Sequence, residues 1–172
     1  QGLPQLRETI SEKMNAAYGV KYNPESEITI TAGGTEAIFS AIAAFVGDGD
    51  EVIIFTPAYD CYEPAITLNG GKTKFIELKS PGYSIDWDEV KKMVTRKTKM
   101  IIINNPHNPT GAILKKQDLK ELEKITKNTD IIILSDEVYE HLTFDGTEHQ
   151  SVCRYAGLAE RSIAVYSFGK TF

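Results

Sequence analysis

The fold of this chain is constrained most by short, almost continuously apolar segments that alternate with amphipathic ones. Residues 51–55, 99–103 and 130–135 each carry an unbroken run of Val, Ile, Leu, Met or Phe. Such runs are typical of strands that helices cover on both faces of a parallel sheet. Candidate strands begin near residues 28, 52, 73, 100, 131 and 163. The sequence therefore predicts an α/β fold with a mostly parallel sheet layered by helices on both faces.

The segments between the candidate strands have the period and the end signals of helices. An amphipathic helix is predicted over residues 3–18, with Pro4 in its first turn and Gly19 at its end. Further helices are predicted up to about residues 46 and 68, over 87–95 and 118–127, and over a short stretch at 151–158. No internal repeat or linker divides the chain, so residues 1–172 are treated as one domain.

Composition and charge narrow the possible functions. The chain has 172 residues, of which 41% are hydrophobic and 25% charged, which is ordinary for a globular domain. A net charge of −5 with interspersed signs does not predict nucleic-acid binding. No apolar run approaches the ~18 residues of a membrane-spanning helix, and the histidines lack metal-ligand spacing. Cys61 and Cys153 are interpreted as free thiols in a reducing cytosol, with a disulfide as the alternative.

A glycine pair precedes the second predicted helix, in the stretch Ala-Gly-Gly-Thr-Glu-Ala at residues 32–37. A helix that begins at such a turn presents unpaired N–H groups and its positive dipole end to an anion. The alternative interpretation is that the glycines only permit a tight turn. The two interpretations have about equal weight when this stretch is considered alone.

Four candidate ligand-binding residues follow the carboxyl ends of predicted strands: Tyr59, Asn108, Asp136 and Lys170. Each has an ordinary explanation, as a packing ring, a turn former, a helix N-cap or a surface lysine. A lysine at the end of a buried strand is nevertheless costly unless it is paired or neutral. In an open α/β sheet these strand ends line one crevice, so we expect the four side chains to meet.

Three motifs, in this order, resemble those of the class I/II (fold-type I) pyridoxal-phosphate-dependent aminotransferases. They are Asn-Pro-Thr-Gly at residues 108–111, Asp-Glu-x-Tyr at 136–139 and Ser-x-x-Lys at 167–170. The kynurenine/glutamine/methionine aminotransferase branch is the most similar. The resemblance implies that the chain is an internal piece that covers most of the large cofactor-binding domain.

The resemblance implies pyridoxal 5′-phosphate as the cofactor. The phosphate contacts that it transfers to this chain are the backbone N–H groups of Gly34, Thr35 and Glu36 and the hydroxyl of Ser167. The ring contacts that it transfers are those of Tyr59, which stacks, and of Asn108 and Tyr139, which hydrogen-bond the 3-oxygen. Tyr62 is a weaker candidate for the same pocket, and Glu137 is assigned a structural role.

The resemblance also implies transamination between an L-amino acid and a 2-oxo acid with ping-pong kinetics. Lys170 would hold the cofactor as an imine and then, as a free neutral amine in a buried site, move the substrate Cα proton. Asp136 would pair with the protonated pyridine nitrogen, which lets the ring accept electrons. Tyr139 would stabilise the negative 3-oxygen.

Two other functions stay open on the sequence alone. The same cofactor residues would serve a C–S β-lyase, or a sensor domain of a transcriptional regulator. The family further implies a cytoplasmic homodimer that takes small-molecule substrates and has neither nucleic-acid nor membrane partners. Three parts of the family's site have no counterpart among these residues: the arginine that binds the phosphate, the arginine that binds the substrate, and the N-terminal arm. We therefore expect this piece alone to be inactive.

Overall fold

The computed structural model describes residues 1–171 and is organised around a five-stranded sheet. In chain order the strands are β1 (Glu51–Thr56), β2 (Lys72–Glu77), β3 (Thr98–Asn104), β4 (Ile132–Asp136) and β5 (Ser162–Val165). Their order across the sheet is β2-β1-β3-β4-β5, and every neighbouring pair is parallel. The predicted α/β architecture with a mostly parallel sheet is therefore confirmed.

The helices at residues 4–18, 34–45, 62–68, 87–93 and 116–126 follow the predicted pattern, with ends that differ by a few residues. The short helix predicted over 151–158 is a 3-10 turn followed by a four-residue helix, and the short helix at 168–171 was not predicted. In chain order the helices are α1 (Pro4–Tyr18), α2 (Gly34–Phe45), α3 (Tyr62–Leu68), α4 (Trp87–Met93), α5 (Lys116–Thr126), α6 (Ala156–Ala159) and α7 (Phe168–Thr171), with a 3-10 turn at Val152–Arg154. Gly19 ends α1 in the left-handed region, at φ 74°. Within the described residues, no helix has the length and apolar character needed to cross a bilayer.

Apolar side chains leave the central strands in both directions and build two cores. On one face, Ile53, Ile101 and Ile133 pack with side chains from α1, α4 and α5. On the other face, the adjacent residues Val52, Ile102 and Leu134 pack with α2 and α3. Successive strand residues point to opposite faces. A strand that is covered on both faces is therefore apolar throughout, which explains the continuous runs in the sequence.

The predicted strand at residues 28–31 is wrong. This segment joins no ladder among the described residues, although the Ile30 N–H donates to the Gln1 carbonyl at 3.2 Å. β-Branched residues such as Ile28 and Thr29 fit a pleated surface, but a strand also needs a neighbouring backbone along its length. Local propensity without that partner gives an extended connection rather than a strand.

The strand order reverses direction beside β1, and this reversal places the candidate site. β2 lies on one side of β1, whereas β3, β4 and β5 follow one another on the other side. In open α/β sheets, ligands bind at such a reversal, in the crevice outside the carboxyl ends of the strands. The segments that follow β1, β3, β4 and β5 therefore meet at one edge of the sheet.

Candidate active site

A cleft lies at the carboxyl ends of the strands. Every predicted site residue except Glu36 lines it: Gly34, Thr35, Tyr59, Asn108, Asp136, Tyr139, Ser167 and Lys170. The Glu36 side chain is exposed and turns back to accept the N–H of Ala32. The sequence assigned Glu36 a role through its backbone N–H only, so this side-chain position is compatible with that role.

Asp136 ends β4 and is only 3% exposed at the floor of the cleft. Its Oδ2 accepts a hydrogen bond from the Tyr62 hydroxyl at 2.5 Å, and its Oδ1 accepts one from the Val138 N–H at 3.3 Å. Burial raises the pKa of Asp136, and the negative charge of Glu137 adds to the rise. The two hydrogen bonds and the positive charge of Lys170 lower this pKa. The carboxylate is therefore held between a desolvating site and donors that favour its charged form.

Asn104 joins the ends of β3 and β4, and no role is predicted for it from the sequence. Its Nδ2 donates to the Asp136 carbonyl at 2.9 Å, while its Oδ1 accepts the Asn108 N–H at 2.7 Å. The two strands are in register at Asn104 and Asp136. Asn104 thus fixes the turn that carries Asn108 relative to Asp136. In the sequence, the available signal was only an asparagine directly after a continuous apolar run, which is equally typical of a turn.

The N-terminus of α2 forms the other end of the cleft. The first intrahelical hydrogen bond runs from the Ala37 N–H to the Gly33 carbonyl, so the N–H groups of Gly34, Thr35 and Glu36 have no acceptor within the helix. Gly33 has φ 124°, which favours glycine at the turn. Three N–H groups at the positive end of a helix are suited to a phosphate.

Lys170 lies in α7 and is exposed, which differs from the buried position suggested by the sequence. β5 ends at Val165, and the chain then turns into this short helix, from which Lys170 lines the cleft. The Lys170 Nζ lies 6.0 Å from the centre of the Tyr139 ring. Ser167 is half-buried between β5 and α7 and contributes to the same wall.

Tyr59, which lines the cleft, forms an aromatic pair with Tyr62, which does not. Their rings meet edge to face, with centroids 5.8 Å apart at 76°. The Tyr59 hydroxyl lies 3.3 Å from the Thr35 Oγ1, at the end formed by α2. Tyr62 is only 3% exposed and contacts Asp136 directly, so its connection to the site is stronger than the sequence suggested.

Glu137 is fully buried behind the cleft. Four groups donate to its carboxylate: the Ser135 hydroxyl at 2.8 Å, the Val152 N–H at 3.1 Å, His149 Nε2 at 2.9 Å and the Tyr166 hydroxyl at 3.0 Å. Acceptance of four hydrogen bonds is the pattern of an ionised carboxylate. Glu137 therefore anchors the segment that carries Asp136 and Tyr139, in agreement with its expected structural role.

Comparison with known proteins decides the family. The chain matches the family model described as aminotransferase class I and II over residues 1–172. This chain belongs to the class I and II aminotransferases. It is 43% identical to methionine aminotransferase of Escherichia coli K12 over 171 residues, which cover 99% of this chain and 44% of that protein. It is 44% identical to aspartate aminotransferase of Pyrococcus abyssi over 172 residues, with the same coverage.

The solved structures agree with this aminotransferase assignment. The crystal structure of the methionine aminotransferase from Escherichia coli has a TM-score of 0.98 and 43% identity, and covers 99% of this chain and 45% of that one. The chain thus spans about 44% of the length of the methionine and aspartate aminotransferases that it matches. The resemblance inferred from the three motifs is confirmed, and a methionine aminotransferase belongs to the predicted branch. The lyase and sensor alternatives are not favoured, because these relatives are named aminotransferases.

Class I and II aminotransferases use pyridoxal 5′-phosphate, and the donors of this cleft fit that group. A phosphate requires N–H donors, which the start of α2 supplies. A cationic ring nitrogen requires a carboxylate, and Asp136 is the buried one that lines the cleft. The 3-oxygen of the cofactor ring accepts hydrogen bonds, which the side chains of Asn108 and Tyr139 can donate. The aldehyde of the cofactor reacts with an amine, which Lys170 supplies.

Proposed function

We propose that residues 1–172 form most of the large cofactor-binding domain of a pyridoxal-phosphate-dependent aminotransferase. The full-length protein would move an amino group from an L-amino acid to a 2-oxo acid. The supporting observation is that Asn108, Asp136, Tyr139 and Lys170 line one cleft together with the start of α2. These residues come from different segments of the chain, and their order in sequence does not require them to meet.

Each side chain has a proposed task that follows from its chemistry. When bound, pyridoxal phosphate supplies an electron sink for the charge that develops at the substrate Cα. The Asp136 carboxylate holds a proton on the ring nitrogen by charge pairing in a site of low dielectric constant. Asn108 and Tyr139 donate to the 3-oxygen and stabilise its negative charge. The Lys170 amine supplies the covalent attachment and, once free, takes the proton from the substrate Cα.

Binding and orientation are assigned to the other end of the cleft. The N–H groups of Gly34, Thr35 and Glu36 bind the phosphate, and the Ser167 hydroxyl adds a further donor. The Tyr59 ring stacks on the heterocycle and fixes its plane. Its edge-to-face contact with Tyr62 supports this role, because the contact limits the rotation of the Tyr59 ring.

The substrates and the assembly are proposed only as classes. The relatives carry the names of different amino acids, methionine and aspartate, so the substrates are proposed as L-amino acids and 2-oxo acids without a side-chain preference. A homodimer is proposed for the full-length protein, supported by Phe39 and Phe45, which are exposed on α2. A cytoplasmic location is supported by the free thiols of Cys61 and Cys153.

Absorbance of the full-length protein with added pyridoxal phosphate tests this proposal. We expect a visible band from the lysine-bound cofactor, which an L-amino acid shifts while a 2-oxo acid is released. Lys170→Ala should lack the band, because no amine remains at that position to attach the cofactor. Lys127→Ala, which changes an exposed lysine just after α5, is the matched control and should keep it. An unchanged band in Lys170→Ala would contradict the assignment, and pyruvate release from S-substituted cysteines without amino transfer would favour a lyase.

A further inference from the structure

Tyr62 contacts the cleft carboxylate from within the protein. It begins α3, is 3% exposed and does not line the cleft itself. Its hydroxyl donates to Asp136 Oδ2 at 2.5 Å. We propose that Tyr62 is a positioning residue that keeps Asp136 ionised and oriented for a cationic ligand in the cleft. The identity of that ligand, a protonated pyridine nitrogen, rests on the proposed function.

The protein holds the Asp136 carboxylate through two hydrogen bonds and still leaves it able to bind a ligand. Asp136 Oδ2 accepts from Tyr62, and Oδ1 accepts from the Val138 N–H at 3.3 Å. An ionised carboxylate has about four lone-pair sites, so each oxygen keeps acceptor capacity for a group in the cleft. Both protein donors stabilise the charged form, and together they fix the plane of the carboxylate.

The surroundings of Asp136 disfavour its charged form, so a hydrogen-bond donor is needed to keep it ionised. Burial raises the pKa of Asp136, and the charge of Glu137 raises it further. Among the influences that lower this pKa, the Tyr62 hydrogen bond is the largest, ahead of the Val138 N–H and the charge of Lys170. Burial raises the pKa of the nearby Cys61 thiol to about 11, so it adds no charge at neutral pH.

Tyr62 is suited to this task because it stays protonated and fixed in position. Burial and the negative charge of Asp136 raise the pKa of its hydroxyl, which therefore remains a donor. Its ring packs in the core between α3 and the sheet and meets Tyr59 edge to face. A buried ring in such contacts holds its hydroxyl in one place.

Tyr62→Phe in the full-length protein tests the proposal, because it removes only the hydroxyl and keeps the ring. In the cofactor-free protein, carbon-13 NMR titration of the aspartate side chains, assigned with Asp136→Asn, should show a raised pKa for Asp136. In the presence of pyridoxal phosphate, the dissociation constant of the cofactor should rise roughly tenfold to a hundredfold, which corresponds to one lost hydrogen bond to a charged group.

Tyr18→Phe is the matched control. Tyr18 also donates to a buried carboxylate, that of Glu140, but it lies in α1 outside the cleft. This variant should leave the titration of Asp136 and the affinity for the cofactor unchanged. The proposal is overturned if Asp136 titrates alike in Tyr62→Phe and the parent, or if Tyr18→Phe shifts it equally. A raised Asp136 pKa in a protein whose parent binds no cofactor would support the role of Tyr62 and overturn the proposed function.

Discussion

Asp136→Asn in the full-length protein is expected to lower kcat for amino transfer roughly 10²- to 10⁴-fold. An amide has the shape of the carboxylate and still accepts from Tyr62, so the fold should persist. A neutral amide cannot hold a proton on the ring nitrogen, and removal of one partner of a buried ion pair costs about 3–5 kcal/mol, which gives this range of rates. Steady-state kinetics at saturating pyridoxal phosphate measures the effect.

Asp130→Asn is the control for this prediction. Asp130 is exposed and precedes the opposite end of the same strand, β4. The substitution removes the same charge without reaching the cleft, so kcat should stay near that of the parent protein. A kcat for Asp136→Asn that equals the parent value would contradict the assigned charge pairing.

Glu137→Ala is expected to lower the free energy of unfolding by about 3–5 kcal/mol. The substitution leaves Ser135, His149, Tyr166 and the Val152 N–H without their shared acceptor in the interior. Each buried donor left unpaired costs free energy, because it loses its hydrogen bond in the folded protein and cannot form one with water there. Urea unfolding of the full-length protein, followed by circular dichroism, measures the change.

Glu148→Ala is the control for Glu137→Ala, because it removes a nearby glutamate that is not buried. The Glu148 side chain is 65% exposed and pairs with Arg154 at 2.6 Å. Such exposed pairs contribute at most about 1 kcal/mol, so the unfolding curve should move only slightly. If Glu137→Ala and Glu148→Ala lower the free energy of unfolding equally, the hydrogen bonds to Glu137 do not stabilise the fold more than an exposed ion pair does, which would contradict this prediction.

The sheet could be predicted because its strands have a distinctive pattern. The runs ending at Phe55, Ile103 and Leu134 are apolar on both faces, and only a covered parallel sheet buries both. Residues 28–31 are also rich in β-branched side chains, but they have no neighbouring backbone over their length. The residue pattern of a strand is visible in the local sequence, but the neighbouring strand that it pairs with is not. The prediction for residues 28–31 was wrong for this reason.

The residues that line the cleft could be predicted to lie together, but the residues behind them could not. Asp136 and Asn108 follow strand ends, and the chain's motifs mark them. Tyr62 has the sequence context of an ordinary core aromatic, and its contact with Asp136 spans 74 residues of sequence. Asn104 looks like part of a turn until the register of β3 and β4 places it opposite Asp136. Side-chain contacts between distant segments depend on tertiary packing, which no local pattern contains.

The exposure of Lys170 was not predictable for a related reason. Its position after an apolar strand suggested burial, but the chain turns into α7 before it reaches the lysine. The exposed Lys170 therefore lines the same cleft as the buried Asp136. An accessible amine and a buried acid that line one cleft are compatible with a ligand that contacts both.

Borohydride reduction followed by peptide mapping tests the central claim most directly, since it traps the bond between a lysine and the cofactor. The full-length protein would be loaded with pyridoxal phosphate, reduced, digested and analysed by mass spectrometry. We expect the pyridoxyl group on the peptide that contains Lys170 and on no other peptide. Attachment to a different lysine, or an unmodified Lys170 in a cofactor-saturated protein, would contradict the assignment of this cleft.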